Sequence, residues 1–337
     1  MGTITIGNRS FETPVLVPSV SSFETQLNPV DALRLQYTLQ EPISLVSAYD
    51  VAFDRGNLVP LCKTFRDQGV LLLDSGGYES SRISRYAPDK KQERWTFAKY
   101  AKIAAEDIYD FIFSYDYFLD EKESSSAFLA RIMREFRAHS DVLDITKLIP
   151  VIHLQTLDGK RPFTKEEAIG LFATVATEID CRFVAVPERE LGDGLPARAH
   201  LTQRITSAMR ENASDCSLHI LGCGNLLSFS ALAVAGAMMC DGLEWCRTLA
   251  ADNFHLHHFQ HKDLFVDPEY YKSNPIVEFL KEAATLNYPT SVAVRNLLSF
   301  QAFTQSLHGR LNRRTVHEFV RENFGNLAGD AIRVLEP

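Results

Sequence analysis

The chain has 337 residues, of which 45% are hydrophobic and 23% charged, enough to bury a substantial core in one large domain or two. With 17 glycines and 14 prolines among them, the sequence is neither collagen-like, nor low-complexity, nor disordered as its main state. A formal charge of −8 excludes a protein coated in positive charge for nonspecific nucleic-acid binding and leaves only local basic patches.

The opening MGTITIGNRSFETPVLVPSV (1–20) reads as a short antiparallel hairpin. It lacks the basic-then-apolar pattern of a secretory signal, and no stretch approaches the roughly 18 apolar residues needed to cross a bilayer. A cytoplasmic protein with no membrane partner is the expectation. From residue 43 onward, short apolar runs alternate with helix-period segments. The runs are ISLVSAY (43–49), VLLLDS (70–75), DFIFSYD (110–116), KLIPVIHL (147–154), RFVAVPE (182–188), LHILGCG (218–224) and GAMMCDG (236–242). Continuous apolarity means burial on both faces, as in a parallel sheet covered by helices.

Helices are legible at 90–106, 124–140, 164–179 and 197–212. Seven or eight such βα units in roughly 250–280 residues favour an α/β fold of the closed (β/α)₈ TIM-barrel type, because an open doubly wound sheet usually shows a glycine-rich turn after its first strand. None is present there. The predicted organisation is one domain over 1–337, with a hairpin and lead-in at 1–40, a barrel core at 41–265 and a helical part at 266–337. The six cysteines, Cys62, Cys181, Cys216, Cys223, Cys240 and Cys246, lie in apolar runs without a CxxC pair, which predicts buried free thiols.

In a barrel the active site sits at the C-terminal ends of the strands. Several runs end there in polar groups: Asp74-Ser75-Gly76-Gly77-Tyr78, Asp116, His153 with Gln155 beyond it, Gly222-Cys223-Gly224, and Asp241. Any one acid is equally an N-cap for the following helix. Three acids at three strand ends are more than capping requires. Carboxylates converging in one pocket repel, so at least one should carry a proton near neutral pH. An ionised and a protonated acid together can attack an anomeric carbon and protonate a leaving group. Glycines in the Asp-Ser-Gly-Gly turn let a ligand approach the backbone closely.

Four segments in order, FETPVLVPSV (11–20), LLLDSGGYE (71–79), HILGCGNLLSFSALAVAGAMMCD (219–241) and RNLLSFQAFTQSLHGRL (295–311), resemble the tRNA-guanine transglycosylase superfamily, also called queuine or archaeosine tRNA-ribosyltransferases. The resemblance implies an enzyme, a pentosyltransferase that cleaves a guanine from a polynucleotide and puts a 7-deazaguanine in its place. Carried over by position, Asp241 corresponds to the aspartate nucleophile, Asp74 to the acid/base, and Asp116 to the aspartate that grips the guanine edge. Ser75, Gly76 and Gly77 complete the first loop, and Tyr78 matches the aromatic that sandwiches the base. His153 or Gln155 stands where the family has a glutamine, and Gly222 and Gly224 bracket a loop beside the site.

There are departures. The family's zinc ligands, three closely spaced cysteines and a histidine, are absent after Asp241; His255, His257, His258 and His261 follow instead, with only Cys246 nearby. No cofactor is therefore expected, and whether these histidines bind a metal stays open. In place of a Gly-Gly-Leu run the chain has Val186-Pro187-Glu188-Arg189, with Pro187 and Glu188 beside the base. Glu188 faces either a ligand amine, Arg189 or solvent, and Ser47 replaces an asparagine of the family.

Loss of the zinc subdomain resembles the DNA-guanine transglycosylase branch, so tRNA and DNA stay open as substrates, as does a homo- or heterodimer. Arg310, Arg313 and Arg314, with Arg321 nearby, have the helical spacing of a phosphate-binding patch; a solvated helix face is the alternative. Two other functions fit the same residues: an N-glycosidase in which water resolves the glycosyl-enzyme, and a non-catalytic nucleic-acid-binding paralogue.

Overall fold

A computed structural model describes residues 2–23, 25–77, 95–139, 142–179, 181–212, 215–251, 254–267 and 287–336. Its core is a parallel sheet of eight strands: β3 (Val15–Val20), β4 (Ile43–Ser47), β5 (Val70–Asp74), β6 (Phe111–Phe113), β7 (Leu148–Ile149), β8 (Phe183–Pro187), β9 (Ser217–Leu221) and β10 (Met239–Gly242). These follow one another around the sheet, and β10 pairs back onto β3, with Asp241 in register with Val17. The two remaining edges meet through a bridge between Val151 and Ala185, where Ile152 N–H donates to the Ala185 carbonyl at 2.9 Å and Ala185 N–H to the Pro150 carbonyl at 2.8 Å. The result is a (β/α)₈-type barrel. β7 is short for a local reason: Pro150 has no N–H for the ladder, and Val151 N–H donates instead to Ser114 Oγ at 2.9 Å.

Alternate residues of each strand face two different cores. Val15, Val17, Leu45, Leu72, Phe113, Ile149, Ala185 and Met239 fill the barrel interior. Their neighbours Val46, Leu71, Leu73, Ile112, Val184 and Ile220 pack against the helices. This explains the unbroken apolar runs.

The described helices are α1 (Pro29–Thr38), α2 (Ala48–Phe53), α3 (Arg55–Gln68), α4 (Phe97–Ala104), α5 (Ser125–His139), α6 (Lys165–Glu178), α7 (Leu195–Asn212), α8 (Leu226–Val234), α9 (Glu244–Arg247), α10 (Lys262–Phe265), α11 (Tyr288–Arg313), α12 (Val316–Phe324) and α13 (Asn326–Arg333). Side chains start several of them. Asn28 accepts from Asp31 N–H ahead of Pro29, and Thr164 and Glu167 form a capping box on α6. The expected helix at 124–140 is α5, and α6 and α7 likewise match their runs. Among the described residues of the expected helix at 90–106, Phe97–Ala104 is helical, and residues 90–94 lie outside the described part.

Two boundaries differ from the sequence reading. The N-terminal hairpin is β1 (Thr3–Ile6) with β2 (Arg9–Glu12) alone, and Val15–Val20 is the first barrel strand, not part of the lead-in. Ile4 and Ile6 of the hairpin join the interior cluster and plug the N-terminal mouth. At the other end, the barrel proper closes at Gly242. The chain then forms a second antiparallel hairpin, β11 (Thr248–Ala250) with β12 (Leu256–His258). Buried Asn296 of α11 secures it, accepting from Ala250 N–H at 2.8 Å and donating to the Trp245 and Thr248 carbonyls at 2.8 and 2.7 Å. No helix among the described residues is long and apolar enough to cross a membrane. All six cysteines are buried, and none forms a disulfide.

Candidate active site

The C-terminal ends of β5, β6 and β10 bring Asp74, Asp116 and Asp241 into one cluster. Loss of solvation at Asp74 is the main reason its carboxyl rises from the ordinary carboxylate range to about 7. The charge of Asp116 adds to the rise and that of Asp241 adds less, while an N–H bond from Gly76 to Asp74 Oδ2, at 3.0 Å, opposes it. Asp74 can therefore hold or release a proton near neutral pH.

Asp241 sits in a different environment. It is 4% exposed; Ser19 Oγ donates to its Oδ2 at 2.7 Å, and His219 Nε2 lies 2.9 Å from its Oδ1. Both partners come from neighbouring strands of the closed sheet, β3 and β9.

Asp116 is the centre of a third arrangement. Ser75 Oγ donates to Asp116 Oδ2 at 2.7 Å, and His153 Nε2 stands 3.1 Å from Oδ1. The opposite face of the imidazole meets Glu190, with Nδ1 2.9 Å from Oε1. Glu190 Oε2 in turn accepts from Leu154 N–H at 2.6 Å and Gln155 N–H at 3.2 Å. Burial works against a charged ring, yet the hydrogen bonds and charges of Asp116 and Glu190 outweigh it and raise His153 to about 10. His153 is thus an imidazolium held between two carboxylates.

The glycines after Asp74 have separate reasons. Gly76 adopts φ +77°, and a Cβ there would strike the Tyr49 backbone; a Cβ on Gly77 would collide with Asp116 Oδ2. Ser75 is tied down further, its carbonyl accepting from Trp95 Nε1 at 2.9 Å. Tyr115 OH donates to the Trp95 carbonyl at 3.2 Å, and the Trp95 ring meets Tyr49 edge-on at 5.4 Å. Tyr78, the aromatic implied by the resemblance, lies outside the described residues.

Of the two residues competing for one position, His153 faces Asp116. Gln155 is turned away: with its oxygen toward the guanidinium, it accepts from Arg161 Nε and Nη2 at 2.8 and 2.9 Å. Pro187 ends β8, and Glu188 pairs with Arg198 at 2.9 Å, not with Arg189 as one alternative had it. Gly222 takes φ +72° in the turn after β9. Gly224 packs so closely on Gly242 that a Cβ on Gly242 would overlap its backbone. Ser47, buried, lies in register with Asp74.

The arginine patch is at the wrong end of the barrel for this site. α11 runs downward from Asn296, beside Trp245, to His308, whose Nε2 lies 2.8 Å from the carbonyl of Pro14, just ahead of β3. Arg313 is about 25 Å from Asn296 at 1.5 Å per residue, toward the N-terminal ends of the strands. Arg310 is engaged with Glu322 at 3.1 Å and Glu318 at 3.7 Å, and Arg321 with Asp330 at 2.8 Å. Arg313 and Arg314 are exposed. The helical spacing was legible, but its height along the barrel was not.

The histidines after the barrel have separate contacts, although the rings of His258 and His261 lie 5.2 Å apart. His255 Nε2 is 2.7 Å from the Asn323 carbonyl, His257 stacks on Phe265, and His258 accepts from Gln260 N–H at 3.2 Å. Among the described residues no group of three His, Cys, Asp or Glu side chains is placed to hold a metal ion.

Ser19, Glu190 and His219 escaped the sequence reading. For Ser19 and His219 a signal existed, a polar residue inside an apolar strand, VPSV and LHIL. Glu190 had none, since PERE offers two glutamates and only the fold separates them. No protein-family model matches this chain, and no curated protein matches it.

Proposed function

We propose that this chain is a base-exchange transglycosylase that removes guanine from a polynucleotide, tRNA or DNA, and installs a 7-deazaguanine through a covalent aspartyl-glycosyl intermediate. The observation that carries the reading is the pairing of two carboxyls in different surroundings at one barrel mouth: Asp74, raised to about 7 with Asp241 contributing to the rise, and Asp241, to which Ser19 Oγ donates and His219 Nε2 lies at 2.9 Å. In this mechanism an oxygen of Asp241 attacks the anomeric carbon while the glycosidic C–N bond breaks. Its electron pair leaves with the guanine, which takes the proton of Asp74. The incoming base returns a proton to Asp74, attacks the same carbon, and frees Asp241.

Asp116 supplies the acceptor for a guanine-type edge, N1–H and the exocyclic amine, with Ser75 and His153 holding its carboxylate in place. Phosphates next to the reacting sugar would meet the loops at the C-terminal mouth, where Arg189 is exposed after β8, and not Arg310, Arg313 or Arg314.

Incubation with radiolabelled guanine and either bulk tRNA or duplex DNA tests the proposal. Label entering one polymer supports it and names the substrate. Guanine released without incorporation would identify a hydrolase, and no reaction with either polymer would point to a binding protein.

A further inference from the structure

His219 belongs to the middle of β9, in register with Ala185 on β8 and Met239 on β10. Its side chain points into the barrel, where both register partners are also core residues and Ala185 is small. The ring is fully buried and meets Phe113 edge-to-face, with centroids 4.9 Å apart and planes at 80°. Nε2 lies 2.9 Å from Asp241 Oδ1. Among the described residues, Nδ1 is buried with no hydrogen-bond partner.

That asymmetry selects a tautomer. With the proton on Nδ1, a donor would be buried unpaired and the Nε2 lone pair would face a carboxylate. A doubly protonated ring would still leave Nδ1–H without an acceptor. With the proton on Nε2, the ring donates to Asp241, and only a lone pair is left unpaired, the least costly of the three arrangements. Ser19 Oγ holds the other oxygen.

We infer that His219, as the Nε2–H tautomer, is the positioning residue that orients the Asp241 carboxylate for attack and receives it again when the ester opens. The inference rests on the function proposed above. In the first half-reaction one Asp241 oxygen forms a bond to the anomeric carbon as the C–N bond breaks. In the second, the C–O bond breaks and its electron pair returns to Asp241. The histidine donates throughout and neither gains nor loses a proton. The proton between the two bases is carried by Asp74.

The test combines two readouts on the full-length protein. Nitrogen-15 NMR of histidine-labelled protein, with His219 assigned by its loss in His219→Gln, should show the Nε2–H tautomer at neutral pH. An Nδ1–H tautomer or an imidazolium would overturn the inference. In kinetics, His219→Phe keeps a flat ring and removes the donor. It should lower kcat for base exchange and the rate of adduct formation by about 10- to 100-fold, with KM for the polynucleotide changed less than about twofold. His219→Gln, which can donate from its amide, should recover part of that loss. Equal losses in both variants, or unaltered kcat in a folded His219→Phe protein, would overturn the positioning role. Should the wild type exchange no base on either polymer, the proposed function fails, and the NMR result still decides whether His219 donates to Asp241.

Discussion

His153 Nε2 and Asp116 Oδ1 stand 3.1 Å apart, joining the loop after β7 to the loop after β6. With Glu190 on its other nitrogen at 2.9 Å, the imidazolium links a buried carboxylate to the half-buried one of Asp116 across neighbouring βα loops. Asp116 is thereby fixed as an acceptor facing the cluster.

Glu190→Gln weakens this arrangement at its base. The variant should lower the titration of His153 from about 10 toward its ordinary range. Because the folded-state value is raised, the stabilisation is fully present below about pH 6.5 and is lost as pH rises through 10. Histidine NMR titration of wild type and variant would show the shift, and an unchanged curve would remove Glu190 from the network.

Asp116→Asn presents a donor where the base also donates. Discrimination for guanine over adenine-type bases should fall by roughly 10- to 150-fold, the equivalent of one charge-assisted hydrogen bond of about 1.5–3 kcal/mol. Competition between labelled bases measures it, and equal preference in both proteins would place Asp116 outside base recognition.

Asp241→Ala should lose turnover by several orders of magnitude while folding normally, since the group that forms the bond is gone. Asp241→Asn should yield no denaturation-resistant adduct with the polynucleotide. Retained exchange in either variant would reassign the nucleophile.

Asp74→Asn should remove the limb of the pH–rate profile near pH 7, because the carboxyl that titrates there, raised by burial and by the charge of Asp116, is no longer present. Polynucleotide binding should change little. A limb that persists in the variant would mean another group carries the proton.

Glu41 provides a stability test away from the cluster. It lines a cavity of about 430 Å³ between the outer face of β3 and α11, with Gln301 Nε2 donating to Oε1 at 2.9 Å. Burial raises its carboxyl from 4.5 to about 8. The folded state therefore holds the proton more tightly, and stability declines as pH rises from 4.5 toward 8. Glu41→Gln should flatten that decline and be more stable than the wild type at pH 8, by on the order of a few kcal/mol, which raises its melting temperature there. Thermal unfolding across pH gives the comparison.

Alternation of apolar runs with helical segments by itself determined the barrel, because a strand buried on both faces must be apolar throughout, and that pattern is local. The same locality exposed Asp74, Asp116 and Asp241, since polar groups that end apolar strands fall at one mouth of a barrel. Which strand begins it was not local: Val15–Val20 reads as the continuation of a hairpin until β10 closes onto it. Nor could the sequence tell that Glu190 reaches His153 or that His219 donates toward Asp241, because those contacts join residues 37 and 22 positions apart through the curvature of a closed sheet. The height of Arg313 and Arg314 along the barrel was equally hidden. Helical spacing places residues on one face, but packing of α11 against the strands decides which end of the barrel that face reaches.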